Sequence, residues 1–135
     1  MVAIGRDRVK LLLDTHVLIW WASEPEHISA PVQDAVLGSE QVWVSAVSGY
    51  EMNLKHKAGR LPDVTFLLAD LPGYLKSQKF AELAVTMMHA QRAGALPLIH
   101  RDPFDRMLAA QALVEDLTLV SRDDKLDRFG VRRLW

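Results

Sequence analysis

"HRDPFDRMLAAQALVEDLTLVSRDD" (His100–Asp124) holds the two plainest segments of the chain side by side, and their order decides the fold. Within it Leu108, Ala109, Ala112 and Leu113 recur at helical spacing, one face of a 3.6-residue period. "LTLVS" (Leu117–Ser121) follows at once as a short continuous apolar run, the pattern of a strand buried on both faces. A helix leading straight into such a strand belongs to an alternating α/β arrangement.

The rest of the chain extends that alternation. "VKLLLD" (Val9–Asp14) and "QVWVS" (Gln41–Ser45) read as buried strands, and "FAELAV" (Phe80–Val85) as a further short one. "THVLIWWA" (Thr15–Ala22) reads as a helix, as does "SAPVQDAVLG" (Ser29–Gly38), with Ser29 as N-cap, Pro31 in the first turn and Gly38 at the stop. "AVSGYEMNLKHKAG" (Ala46–Gly59) and "TMMHAQRAG" (Thr86–Gly94) are helical, and "VTFLLADLPGYLKSQ" (Val64–Gln78) is a helix that Pro72 and Gly73 must break. "DDKLDRFG" is a helical turn, and "VRRLW" (Val131–Trp135) a terminal strand placed at an edge by its paired arginines. These patterns predict one domain over residues 1–135, with a mainly parallel central sheet between helical layers. Ligands of such sheets bind beyond the carboxyl ends of the strands.

Composition narrows the function classes. Half of the 135 residues are hydrophobic, about a quarter (24%) are charged, and the net charge is −1, so the chain is not a globally basic nucleic-acid binder. A local basic surface remains open, because attraction to phosphate is set by charge near the site. Without cysteine there is no disulfide, thiolate metal site or cysteine nucleophile, which fits a reducing cytoplasm. The apolar run "LLLDTHVLIWWA" is too short to span a bilayer and carries Asp14 within it.

The acids then stand out. Asp14 ends the first strand, and Asp123 lies just past "LTLVS", so a parallel sheet puts both at one rim. Each also has a local reading: Asp14 as a helix N-cap, and Asp123 in a turn where Ser121 and Asp124 form a capping box. Glu51 falls on the face of Val47, Leu54 and Ala58, where a buried carboxylate must pair, protonate or bind a cation. An i, i+4 pair with Lys55 is its local alternative. Asp102 precedes Pro103 and suits an N-cap, while Asp105 aligns with the buried stripe one turn on; a capping box explains the two together. Asp14, Glu51, Asp105 and Asp123 thus come from separate segments and converge if the sheet is parallel. Converging carboxylates repel unless a cation is present, and an all-carboxylate set without histidine selects Mg²⁺, with Mn²⁺ as substitute, over zinc. Metal-assisted phosphodiester hydrolysis is the chemistry that follows. Lys55, Arg106, Arg122 and Lys125 flank the acids, either as phosphate ligands or as a charge-balanced surface.

These residues resemble the PIN domain, a nuclease family, and within it the VapC-like toxins of bacterial toxin–antitoxin pairs. "LLLDTHVLIWW" is similar to that family's opening strand, "VSAVSGYEMNLKHKAGRL" to its glutamate segment, and "HRDPFDRMLAAQALVEDLTLVSRDDKL" to its most specific block. The resemblance covers nearly the whole chain and marks only residues 64–98 weakly. It implies a three-layer α/β/α PIN-like fold, with catalytic and metal-binding roles for Asp14, Glu51, Asp105 and Asp123. The family's small polar residue falls on Ser121, with Thr15 and Ser45 in support. A Mg²⁺-dependent endoribonuclease, a homodimer and a small VapB-like antitoxin that blocks the active site are implied as well. Gly49 and Tyr50 depart from the family pattern, in which a large residue such as tryptophan often stands before the glutamate. Glycine there loosens the helix start by about 1 kcal/mol.

Two other classes compete. A catalytically silent PIN-like module would bind RNA or protein without cutting, but pure binding has little use for carboxylates that repel phosphate. A phosphoacceptor domain also ends a strand in aspartate, yet it wants a second early acid where "LLLDTH" offers only Asp14.

Overall fold

The computed structural model describes residues 9–135, so the first eight positions of the expected domain lie outside the described residues. The chain runs β1 (Lys10–Leu13), α1 (Thr15–Ser23), a 3₁₀ turn (Pro25–His27), α2 (Ala30–Gly38), β2 (Gln41–Ser45) and α3 (Ala46–Lys57). It continues through α4 (Thr65–Ala69), α5 (Leu71–Ser77), β3 (Phe80–Leu83), α6 (Met87–Ala95), α7 (Pro103–Glu115), β4 (Thr118–Val120), a second 3₁₀ turn (Asp124–Phe129) and β5 (Arg133–Leu134). The strands form one five-stranded sheet in the order β3-β2-β1-β4-β5, and every pairing is parallel. This is the α/β architecture expected from the alternation, with "VRRLW" and "FAELAV" supplying the two edges.

β1 is the central strand, and its leucines explain the layering. Leu11 and Leu13 enter one apolar core with Val17, Leu18, Val44, Met52 and Leu67, which joins the sheet to α1, α3 and α4. Leu12 points to the opposite face and packs with Leu108, Ala109, Leu119, Leu126 and Phe129, the core under α7. All three leucines are fully buried, as the two-residue period of a strand covered on both sides requires. Truncating any of them to alanine removes about 2–5 kcal/mol.

Local chemistry places the helix ends. Asp102 caps α7, its Oδ1 accepting the N–H groups of Phe104 (2.8 Å) and Asp105 (3.1 Å), while Pro103 fills the first helical position without leaving a donor unused. At the other end Asp116 adopts a left-handed conformation (φ 56°), and the amide of Leu117 returns to the carbonyl of Ala112 (2.9 Å), which stops the helix and launches β4. The expected helix over residues 64–78 breaks at Asp70, two residues earlier than Pro72. Pro72 instead sits in the first turn of α5, and Asp70 Oδ1 accepts the amide of Gly73 (3.0 Å). Ser29 precedes α2 as expected but makes no side-chain cap bond.

The sheet order reverses beside β1: the chain leaves β1 toward β2 and β3, then returns on its other flank as β4. That reversal opens a crevice at the carboxyl ends of β1 and β4. No helix of the described residues is long and apolar enough to cross a membrane.

Candidate active site

Asp14 follows β1 directly, and its amide donates to the carbonyl of Val120 (2.9 Å), so the ends of β1 and β4 are tied together at the rim. The Ser121 hydroxyl donates to Asp14 Oδ2 (2.7 Å) and accepts the amide of Asp123 (3.1 Å). One buried serine therefore orients the first acid and fixes the loop that carries the last. Asp14 stands at the N-cap position of α1 but makes no side-chain cap bond there, and its carboxylate faces the rim. Asp123 Oδ1 accepts the amide of Lys125 (3.0 Å) and starts the second 3₁₀ turn. The capping box expected of Ser121 and Asp124 does not form: the Ser121 oxygen accepts the amide of Asp123 instead, and Asp123 itself caps the turn.

Glu51 lies on α3, 3% exposed. Lys55 Nζ donates to its Oε2 (2.6 Å), so the i, i+4 pair is real, but Oε1 is buried and has no hydrogen-bond partner among the described residues. A buried carboxylate oxygen without a donor costs free energy that one lysine on the other oxygen does not cancel. Thr15 Oγ1 and Ser48 Oγ, 2.8 Å apart, link the start of α1 to α3 and set the register in which Glu51 approaches Asp14.

Asp105 does not complete a capping box with Asp102. Its Oδ2 instead meets His100 Nε2 at 2.8 Å. Burial pushes the Asp105 carboxyl up to about 6, aided by repulsion from Asp14 and Asp102 and opposed by the bond from His100. Burial likewise raises Asp14; the Ser121 hydrogen bond and His16 oppose the rise, and the charge of Glu51 adds to it. These mutual repulsions mean that Asp14 is within electrostatic reach of both Glu51 and Asp105. On the other side of the cluster, His100, Asp105 and Asp123 each offer a ligand atom, all within 4.8 Å of one another.

A surface cavity of about 520 Å³ opens beside these acids, lined by Asp14, His16, Trp20, Arg122, Asp123 and Lys125 among others. Arg122 is exposed, with its guanidinium carbon 5.3 Å from the Trp20 ring centroid, and Lys125 is exposed as well. Both are free to meet a phosphate. Trp20 and Trp21 are half-buried and pack against the first core rather than forming an open apolar face.

Other residues expected at the substrate sit elsewhere. Arg106 is buried, and its Nη atoms donate to the carbonyls of Ala93, Leu96, Pro97 and His100 at 2.7–3.0 Å. It is a clamp on the loop before α7, because a fork of donors matches a ring of free carbonyls that a helix end leaves behind. Ser45 is the N-cap of α3, accepting the amide of Val47 (3.1 Å), and is likewise spent on the backbone. His100 is the residue the sequence reading missed. It precedes Asp105 by five positions with no helical phase to mark it, and the argument for an oxygen-only site assumed no histidine nearby.

The side chains present suit a divalent cation. Hard carboxylate oxygens dominate the set, one imidazole joins them, and the unpartnered Glu51 Oε1 is the kind of atom a cation satisfies.

Ribonuclease VapC22 from Mycobacterium tuberculosis is 31% identical over 121 residues, covering 86% of this chain and 88% of the relative. Among solved structures, VapBC2 from Rickettsia felis bound to a promoter DNA fragment aligns with a TM-score of 0.69 at 13% identity, over 94% of this chain and 99% of that one. DNA-bound VapBC from Salmonella typhimurium aligns with a TM-score of 0.67 at 21% identity, over 93% of this chain and 97% of that one. The family model described as PIN domain matches residues 11–131, from the first core leucine to just short of β5. With the five-stranded parallel sheet and the acids at its rim, this places the chain in the PIN-domain family.

Proposed function

We propose that the chain is a Mg²⁺-dependent endoribonuclease, with Mn²⁺ able to replace Mg²⁺, and the toxin of a VapBC-type pair. The observation that carries the chemistry is Glu51 Oε1, a buried carboxylate oxygen with no donor, beside an Asp14 whose own charge is disfavoured. Similarity to Ribonuclease VapC22 supports RNA as the substrate, and the likeness to VapBC assemblies supports a small VapB-like antitoxin as partner. A homodimer acting in the cytoplasm completes the reading.

Asp14, Glu51, Asp105 and Asp123 would hold the cation, which when bound activates a water and stabilises the leaving oxygen of a phosphodiester. The chain's own groups do the rest. Ser121 fixes the Asp14 carboxylate, and Lys55 holds one oxygen of Glu51 and leaves the other for a cation. Arg122 and Lys125, exposed along the cavity, draw the RNA backbone in and offset the repulsion between phosphate and acids.

The test is cleavage of RNA by purified protein with Mg²⁺ or Mn²⁺. Asp14→Asn and Asp105→Asn are expected to abolish cleavage and growth inhibition in a protein that stays folded. Full activity in either variant would sink the assignment. If the wild type neither binds Mn²⁺ nor cuts RNA, the silent binding module takes its place.

A further inference from the structure

We infer that His100 is a nitrogen ligand of the cation held by the acids, and that it biases the site toward Mn²⁺-like ions over Mg²⁺. The inference rests on the nuclease reading only for the presence of a cation. Its own support is local. His100 Nε2 lies 2.8 Å from Asp105 Oδ2, and both share a 4.8 Å neighbourhood with a carboxylate oxygen of Asp123. Two ligands at adjacent corners of an octahedral site about 2.1 Å from the ion are roughly 3 Å apart. The His100–Asp105 pair already has nearly that spacing.

The imidazole is also held in place from behind. Arg106 Nη1 donates to the His100 carbonyl (3.0 Å), and the same guanidinium gathers the carbonyls of Ala93, Leu96 and Pro97. The ring of Phe129, itself buried, lies against both: 6.0 Å from the His100 ring centroid and 5.9 Å from the Arg106 guanidinium carbon. His100 is therefore 17% exposed and faces the cluster from a fixed loop. A second, independent sign of a cation is Glu51 Oε1, which has no hydrogen-bond partner among the described residues on a residue only 3% exposed, and whose charge acts on Asp14, as Asp14's does on Asp105.

Ligand chemistry sets the consequence. Mg²⁺ prefers oxygen ligands and keeps its waters, whereas imidazole nitrogen suits first-row transition ions. A mixed oxygen and nitrogen set therefore shifts relative affinity away from the oxygen-only preference expected from the four acids alone.

Pulsed electron paramagnetic resonance of Mn²⁺-loaded full-length protein tests this directly. The wild type is expected to show nitrogen coupling of imidazole type, retained in His16→Gln and lost in His100→Gln. Competition titrations should show the Mn²⁺-to-Mg²⁺ affinity ratio falling at least about tenfold in His100→Gln. A wild-type spectrum without nitrogen coupling overturns the inference whether or not the variant folds, and so does an unchanged ratio in a folded His100→Gln. Mn²⁺ bound without nitrogen coupling in a protein that still cuts RNA refutes the histidine ligand alone. Failure of the wild type to bind Mn²⁺ at all refutes both this inference and the nuclease.

Discussion

Replacing Arg106 with alanine separates a structural clamp from a substrate contact. Four carbonyl oxygens accept from its guanidinium at 2.7–3.0 Å. The bonds to Ala93 and Leu96 are buried, while those to Pro97 and His100 lie where water can replace the lost donor. Charge-assisted bonds contribute about 1.5–3 kcal/mol each, and a stranded buried acceptor costs about as much. Counting only the two buried bonds, Arg106→Ala should lose about 3–6 kcal/mol of stability. For a domain of this size that lowers the melting temperature by roughly 10–20 °C. Urea unfolding followed by circular dichroism measures the change, with the midpoint falling at constant slope. Arg122→Ala is the control: its side chain is exposed, so it should melt within about 0.5 kcal/mol of wild type while raising KM for RNA. The reasoning is refuted if Arg106→Ala keeps its urea midpoint and only KM rises, since that would make Arg106 the phosphate ligand.

Two further outcomes follow from the site and from α3. The Asp105 carboxyl titrates near 6 when folded, against 3.8 for an ordinary aspartate, so between those values the folded state holds the extra proton. In chelator, stability should therefore fall as pH rises from about 4 to about 6 and then level off. Asp105→Asn should melt near the wild type at pH 4 and above it at pH 7; a variant less stable than wild type at pH 7 contradicts the burial argument. Gly49→Ala should gain about 1 kcal/mol, because helix propensity improves and the new Cβ meets only Leu71 Cδ2 at 3.5 Å. Thermal melts check it, and a loss of stability would mean that α3 has no room against α5.

Much of the architecture was legible because it rests on short-range periodicity. Three consecutive leucines after Lys10 could be satisfied only in a strand covered on both faces, and the stripe through Leu108 and Ala112 only in a helix packed on one. Caps with one dominant local partner were legible too, as at Asp102. Asp70 shows where that reasoning thins. Pro72 signals a break, but it lies in the first turn of the next helix, and the break falls at Asp70, the residue that caps that helix.

The candidate site divides differently. Its four acids stood out by position, Asp14 and Asp123 past strand ends and Glu51 and Asp105 on apolar faces, together with the family resemblance. Their partners were not. Ser121 reaches Asp14 across 107 positions, and Arg106 takes carbonyls from the end of another helix instead of phosphate. Charge in a sequence says that a side chain needs a partner, while only the fold says which one is nearest. Capping boxes written plainly in the local sequence were overridden where a nearer acid or imidazole competed for the same atom.

The sequence by itself determined the parallel sheet, the two-sided core and the residue types that could meet at its rim, because these follow from periodicities of two and 3.6 residues. Tertiary structure alone decided that Glu51 keeps one oxygen unpartnered and that His100 joins the acids. Both depend on distances between segments that no local pattern encodes.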